Sequence, residues 1–175
     1  AITGADTTLT CVRNSLILSG LGSSVGNEII YLWTTADGHI IEGETTLAPH
    51  IDKPGTYTLE VQDIGNNCVV TDIVTVSMDT LQPTAAIDAS QSLTITCASQ
   101  QVVLLGNLSS PLDTLAFHWA TTDGLIFAGA NGPDATVTSA GTYLLTITNE
   151  RNGCVDSTSI IVDESLTPPT LSFGI

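Results

Sequence analysis

Positive charge is scarce in this chain. Three Lys and Arg residues face 18 Asp and Glu in 175 residues, a formal net charge of −15 at pH 7. Arg13, Lys53 and Arg151 cannot build a basic face, so recognition of a nucleic-acid backbone is excluded. Aromatic residues make up only 5% and methionine occurs once. Apolar runs such as Ile29-Ile30-Tyr31-Leu32-Trp33 are strand-sized, and none approaches the ~18 residues of a membrane span. No segment of useful length carries a helical period. No basic n-region with an apolar stretch opens the chain, so it reads as mature or as a fragment. Charged residues are only 12% of the total, and the polar surface falls to 27 Thr and 15 Ser, nearly a quarter of the residues. A hydrophobic content of 42% separates this composition from a disordered acidic tail.

Repetition organises what is present. Cys11 recurs as Cys97, Trp33 as Trp119, Asp37-Gly38 as Asp123-Gly124, Gly55-Thr56-Tyr57 as Gly141-Thr142-Tyr143, Cys68 as Cys154 and Pro83-Thr84 as Pro169-Thr170, all at an offset of 86. A single offset for so many landmarks means two tandem copies without insertion or deletion. The reading is a repeat over 1–80, a second over 81–166, and at 167–175 the first strand of a third repeat or a strand for a neighbouring subunit. The chain thus reads as a piece of a longer array.

Within each copy, short β-rich runs alternate with turn signals every 8–12 residues, the spacing of a β-sandwich. Tyr57-Thr58-Leu59-Glu60-Val61-Gln62 alternates with period two, which buries one face. The expected fold class is all-β: two tandem immunoglobulin-like sandwiches. Asp37-Gly38 and Asp123-Gly124 are expected to form type I′ hairpins, and Asn66-Asn67 and Asn152-Gly153 a second hairpin. Trp33, Tyr31 and Tyr57, with Trp119, Phe117 and Tyr143, are the large core candidates. Cores this small call for a covalent staple. The pairing Cys11–Cys68 and Cys97–Cys154 is the one identical in both copies that does not cross the linker. Each bond would close a 58-residue loop, an entropic stabilisation of about 4 kcal/mol. Such bonds imply an oxidising compartment. A zinc site is disfavoured, because there is no C-x-x-C and no His shares the repeat.

The pattern Cys, then Trp33-Thr34-Thr35-Ala36-Asp37-Gly38, Pro54-Gly55-Thr56-Tyr57 and Asn66-Asn67-Cys68, echoed by Trp119-Ala120-Thr121-Thr122-Asp123-Gly124, Gly141-Thr142-Tyr143 and Asn152-Gly153-Cys154, resembles PKD-like, immunoglobulin-like repeats of large secreted Bacteroidota surface proteins. Many of those belong to gliding-motility or type IX secretion-associated adhesins. The resemblance covers essentially the whole chain. It implies a secreted, cell-surface location and a spacer role rather than a particular ligand.

Chemistry is sparse. His39, His50 and His118 have no counterparts 86 residues away, and no nucleophile, phosphate-loop or zinc-helix motif is present. No enzyme is expected, and no cofactor. Calcium is the metal that the composition leaves open, through Asp79, Asp88, Asp163 and Glu164, but the carboxylates at Asp79 and Asp88 do not repeat. In proteins of the resembled kind, Asp-(Ser/Thr)-apolar or -Thr triplets are O-glycosylation motifs. Four occur, placing candidate sugars on Thr7, Thr80, Thr114 and Ser157.

The function expected is a non-catalytic structural repeat of an extracellular fibre, filament or adhesin stalk. Its partners would be neighbouring repeats or identical subunits in a head-to-tail array. The alternative is an adhesion module for a glycan or another cell-surface ligand, although the loops at 23–28 and 109–114 offer no aromatic platform. Leu171, Phe173 and Ile175 alternate, so they would form one apolar face of a strand able to pair with the next unit.

Overall fold

The computed structural model describes residues 7–110 and 114–173. The chain divides into two compact units, Ala1–Thr80 and Leu81–Ile175. Unit 1 holds seven strands: β1 (Thr8–Thr10), β2 (Leu16–Ile17), β3 (Ile29–Thr35), β4 (Ile40–Glu42), β5 (His50–Ile51), β6 (Gly55–Asp63) and β7 (Cys68–Asp79). Unit 2 holds β8 (Thr94–Thr96), β9 (Val102–Leu105), β10 (Leu115–Thr121), β11 (Ile126–Ala128), β12 (Asp134–Val137), β13 (Gly141–Asn149) and β14 (Val155–Ser165). Among the described residues there is no α-helix.

The two units share one topology. In unit 1 a four-stranded sheet runs β1-β7-β6-β3 and a three-stranded sheet runs β2-β5-β4; in unit 2 the corresponding orders are β8-β14-β13-β10 and β9-β12-β11. The first strand of each unit lies parallel to the last, with Thr8 opposite Ser77 and Thr94 opposite Asp163. The other pairings in each large sheet are antiparallel. Seven strands in a four-plus-three sandwich with these connections make each unit an immunoglobulin-like β-sandwich.

The cores are built from the same positions. In unit 1, Leu9, Leu18, Trp33, Ile51, Tyr57, Leu59, Val61 and Val76 are buried together. Their counterparts at offset 86 are Ile95, Leu104, Trp119, Val137, Tyr143, Leu145, Ile147 and Val162, and all are buried in unit 2. Alternation explains the selection. In β6 and β13 every second residue from the tyrosine onward points inward, so Tyr57-Leu59-Val61 and Tyr143-Leu145-Ile147 each form one stripe. Tyr31 and Phe117, two residues before each tryptophan, pack against the cores from the same faces.

Polar groups carried into these cores are satisfied. Trp33 Nε1 donates to the Thr46 carbonyl at 2.9 Å, and Trp119 Nε1 to that of Gly132 at 3.1 Å. Tyr57 Oη donates to the Lys53 carbonyl, four residues upstream, at 2.6 Å and accepts from the His39 amide at 3.0 Å. Tyr143 Oη donates to the Ser139 carbonyl at 2.7 Å and accepts from the Leu125 amide at 3.0 Å. This is a tyrosine corner, which ties the start of β6 or β13 to the connection that crosses between sheets.

The Asp-Gly turns differ from the hairpins expected. The strands flanking Asp37-Gly38 do not pair with each other: β3 pairs with β6, and β4 with β5. The segment changes sheets, and neither Asp37 nor Gly38 has the positive φ of a type I′ turn. Glycine is required for a different reason. A Cβ on Gly38 would lie 2.4 Å from the Tyr57 ring and hydroxyl, and one on Gly124 would lie 2.4 Å from Tyr143 Oη. The Asn66-Asn67 and Asn152-Gly153 segments do join paired neighbours, β6 to β7 and β13 to β14. There Asn67 and Gly153 adopt φ of 58° and 71°, a conformation that asparagine and glycine tolerate best.

Two outcomes follow from the corner. Gly124→Ala is expected to destabilise unit 2 by about 1–3 kcal/mol through overpacking against Tyr143. Gly132→Ala, whose Cβ would meet nothing nearer than 3.6 Å, is expected to stay within about 0.5 kcal/mol of the parent. Tyr143→Phe strips two backbone groups of their partner and is expected to cost about 1–3 kcal/mol. Urea unfolding, with Trp119 fluorescence isolated by a Trp33→Phe background, measures all three.

Candidate functional site

The side chains that recur most faithfully converge on one place in each unit. Thr35 Oγ1 donates to the Thr56 carbonyl at 2.8 Å and accepts from the Gly38 amide at 2.8 Å. Asp37 Oδ1 accepts from the Thr56 amide at 2.8 Å. In unit 2, Thr121 Oγ1 donates to the Thr142 carbonyl at 2.8 Å and accepts from the Gly124 amide at 2.9 Å, while Asp123 Oδ1 accepts from the Thr142 amide at 2.9 Å. The Thr-x-Asp-Gly segment thus clasps the Gly-Thr-Tyr segment through the backbone on both sides of residue 56 or 142. The Thr142 amide, as the main cause, holds the Asp123 carboxyl below its ordinary pKa. Burial, as the main cause, pushes the Tyr57 phenol above its ordinary value and keeps it neutral, so that it both donates and accepts. The clasp is a scaffold: its acceptors and donors are engaged with the chain itself.

The histidines do not assemble. Exposed His39 Nδ1 lies 2.7 Å from Asp52 Oδ1, His50 Nδ1 lies 3.8 Å from Glu42 Oε1, and His118 Nδ1 lies 3.1 Å from Asn131 Oδ1. His118 sits on the wet face of β10, opposite in direction to buried Trp119, as alternation requires. Among the described residues no group of three His, Cys, Asp or Glu side chains is placed to hold a metal ion. An open groove of about 970 Å³ among the described residues is lined by Ile95, Cys97, Ala98, Gln101, Thr138 and Leu166 in unit 2.

The expected intradomain disulfides, Cys11–Cys68 and Cys97–Cys154, are not formed. Cys68 and Cys97 are exposed free thiols, whereas Cys11 and Cys154 are disulfide-bonded. Register gives the reason. Cys97 follows β8, whose Thr96 lies opposite Ser165, so Cys97 sits beside Leu166 and its thiol donates weakly to the Leu166 carbonyl at 3.7 Å. Cys154 precedes Val155 at the other end of the same 11-residue strand. At ~3.3 Å per residue the two are separated by roughly 40 Å. Cys11 follows Thr10, which lies opposite Asp79, while Cys68 opens the same 12-residue strand β7. A disulfide tolerates no more than about 7 Å between Cα atoms.

Other sequence-derived positions are placed as follows. Thr80 and Ser157 are exposed, and Thr7 and Thr114 are half-buried; Asp6 and Asp113, the preceding residues of two motifs, lie outside the described residues. Leu171 and Phe173 are 81% and 86% exposed and lie in no strand, and Ile175 is outside the described residues. Asn152 was not singled out as a site by its sequence. It is only 1% exposed, and its Nδ2 donates to the Leu81 carbonyl at 3.0 Å, holding the start of unit 2 against the β13–β14 hairpin. Its identity with Asn66 at offset 86 is the signal that could have raised it.

No known family profile and no curated protein matches the chain. Several solved structures of multidomain proteins are similar to it. The three N-terminal domains of the bacteriophage RB49 Highly Immunogenic Outer Capsid protein align at 15% identity and a TM-score of 0.46, over 95% of this chain and 58% of that one. Sidekick-1 immunoglobulin domains 1–5 align at 12% and 0.39, over 94% and 38%. Titin domains z1z2, in complex with telethonin, align at 13% and 0.34, over 95% and 94%. The chain therefore spans little more than half of the first of these and less than half of the second. Among the described residues no helix is long and apolar enough to cross a membrane.

The Asp123 clasp carries a pH dependence. Its folded pKa lies below the ordinary value, so the carboxylate contributes stability above about pH 4, and that contribution is lost as pH falls through the folded value. The melting-temperature gap between the parent and Asp123→Asn is expected to be largest from pH 5 upward and to shrink as pH drops toward about 2. Calorimetry across that range measures it.

Proposed function

We propose that the chain is a structural repeat module of an extracellular fibre, filament or adhesin stalk at a bacterial cell surface, and that it performs no catalysis. One observation carries this reading. The threonine, aspartate, glycine, tyrosine and tryptophan side chains that recur at the 86-residue offset make their contacts within their own sandwich, so what the duplication preserves is shape. A repeated enzyme would repeat its acid and base, and the three histidines stand at unrelated positions in the two units. The disulfide-bonded state of Cys11 and Cys154 supports an oxidising, extracytoplasmic setting. The resemblance to PKD-like Bacteroidota surface repeats supports the same setting.

In this reading the partners are neighbouring repeats or identical subunits arranged head to tail. Leu171, Phe173 and Ile175 supply a strand to the next unit, and Thr7, Thr80, Thr114 and Ser157 carry O-linked sugars. The exposure of Leu171 and Phe173 supports this reading, since both apolar side chains are open to a partner.

Electron microscopy of the purified chain at rising concentration is expected to show filaments, and deletion of residues 170–175 to reduce their number at least tenfold. A glycan array with the same protein is expected to be blank. Saturable binding to one glycan, abolished by exchanging the 23–28 loop for its 109–114 counterpart, would establish the adhesion-module alternative instead. Intact-mass measurement on protein from the native source is expected to show hexose-sized increments that Thr80→Ala and Ser157→Ala each reduce.

A further inference from the structure

Two cysteines are left over from the disulfide chemistry of this chain, and their positions are complementary. Cys68 is the first residue of β7, at the β6–β7 hairpin of unit 1, and it is exposed. Cys97 follows β8 beside the far end of β14, in unit 2, and it is exposed as well. Within a sandwich of this topology, those are opposite ends of the long last strand.

Neither cysteine stands alone. The repeat supplies an internal comparison for each. The twin of Cys97 is Cys11, which holds the same place after the first strand of its unit, and Cys11 is disulfide-bonded. The twin of Cys68 is Cys154, at the same hairpin of its unit, and Cys154 is disulfide-bonded. Each position type is therefore seen once as a disulfide and once as a free thiol. The free pair contains one cysteine of each type, as does the bonded pair. Neither free thiol can turn to the other cysteine of its own unit, because 11 or 12 residues of strand intervene.

The surroundings of Cys97 suit an occupant. It lines the open groove of about 970 Å³ whose apolar part is Ile95, Ala98 and Leu166, flanked by Ser99, Gln100 and Gln101. The groove is uncharged, so a chain of net charge −15 can approach it without a local like-charge barrier.

From these positions we infer that Cys97 of one copy forms a disulfide with Cys68 of a second copy, so that the head-to-tail array is covalently linked. The inference rests on the structural reading above and adds to it a bond and a polarity. The bond joins two different residues, so a copy that has used its Cys97 still offers its Cys68 to a further copy, and a heterologous contact of this kind propagates. The chemistry is thiol–disulfide exchange with a small or protein-borne disulfide as oxidant. The Cys97 thiolate attacks the donor disulfide, forms a mixed disulfide and releases one thiolate. The Cys68 thiolate of the next copy attacks Cys97 Sγ and expels the second. Two protein thiols lose two electrons and two protons, and the donor disulfide becomes two thiols.

The test uses the full chain, oxidised with a glutathione redox mixture and run without reductant. The parent is expected to give a ladder in steps of 18.1 kDa that collapses on reduction. Peptide mapping of the ladder is expected to find Cys68 joined to Cys97. Cys68→Ser and Cys97→Ser should each lower species larger than a dimer at least tenfold, and mixing the two variants should restore a dimer but no ladder. Alkylating the two free thiols of the parent before oxidation should have the same effect as either variant without altering the sequence. A parent that stays monomeric after oxidation overturns the inference, as do cross-links that join only Cys68 to Cys68 or Cys97 to Cys97. Filaments that form under oxidising conditions without any Cys68–Cys97 link would overturn the covalent bond while leaving the structural role intact. A ladder that forms without filaments would retain the bond and count against the fibre.

Discussion

The buried tyrosine hydroxyl is the interaction on which each sandwich depends. Tyr57 and Tyr143 are fully buried, and a phenol without partners in such a place would cost about 1–3 kcal/mol. Each hydroxyl finds two backbone groups from different segments, one just before its own strand and one on the connection between sheets. That fixes where the chain leaves the four-stranded sheet for the three-stranded one. The Thr-x-Asp-Gly segment then has to pass directly over the ring, which is why glycine, and no residue with a Cβ, occupies positions 38 and 124. Threonine and aspartate close the same loop through the backbone of residue 56 or 142. Removal of any one part exposes the polar groups of the others.

The parallel pairing of first and last strands has the widest consequence. It places residues just after the first strand beside those just after the last, at one end of the unit, and leaves the hairpin between the last two strands at the other. A cysteine pair spaced like Cys11 and Cys68 would suit an immunoglobulin-like bond only if both residues lay mid-strand in facing sheets. Here both flank strands of a single sheet, separated by the full length of the longest strand. The cysteines therefore mark the ends of each sandwich rather than its centre. The cores do without them: eight equivalent apolar positions in each unit, including a tryptophan and a tyrosine, fill the space between sheets.

Much of this fold was legible in the residues. Period-two alternation in Tyr57–Gln62 and its copy located the inner stripe, because side chains on a strand have only two directions to take. The single offset between copies located the domain repeat, because unrelated sequence cannot hold tryptophans, glycines and cysteines in one register. The Asn66-Asn67 and Asn152-Gly153 hairpin was legible for a local reason, since a tight turn demands positive φ and few residues supply it. The Asp-Gly turns were misread for the complementary reason. The same dipeptide serves a hairpin and a close approach to a ring, and only the ring, 19 residues downstream, distinguishes them. His118 was correctly turned outward by its neighbour Trp119. Asn152 was read as a turn residue, but its burial was not, because burial of a polar residue depends on a partner, the Leu81 carbonyl, 71 residues away.

The sequence by itself determined the all-β class, the duplication, the inner face of each long strand and the poverty of titratable chemistry. All of these follow from local periodicity, composition or self-comparison. Only the tertiary structure decided which strands are neighbours, and with that the fate of the cysteines. Spacing along the chain constrains which thiols can meet when a loop is flexible. Once 11 or 12 residues are extended in a strand, distance is set by the rise of the backbone, and thiols at its two ends cannot join. Strand order is a property of the whole sheet, settled by long-range burial, and no local pattern around Cys11, Cys68, Cys97 or Cys154 encodes it.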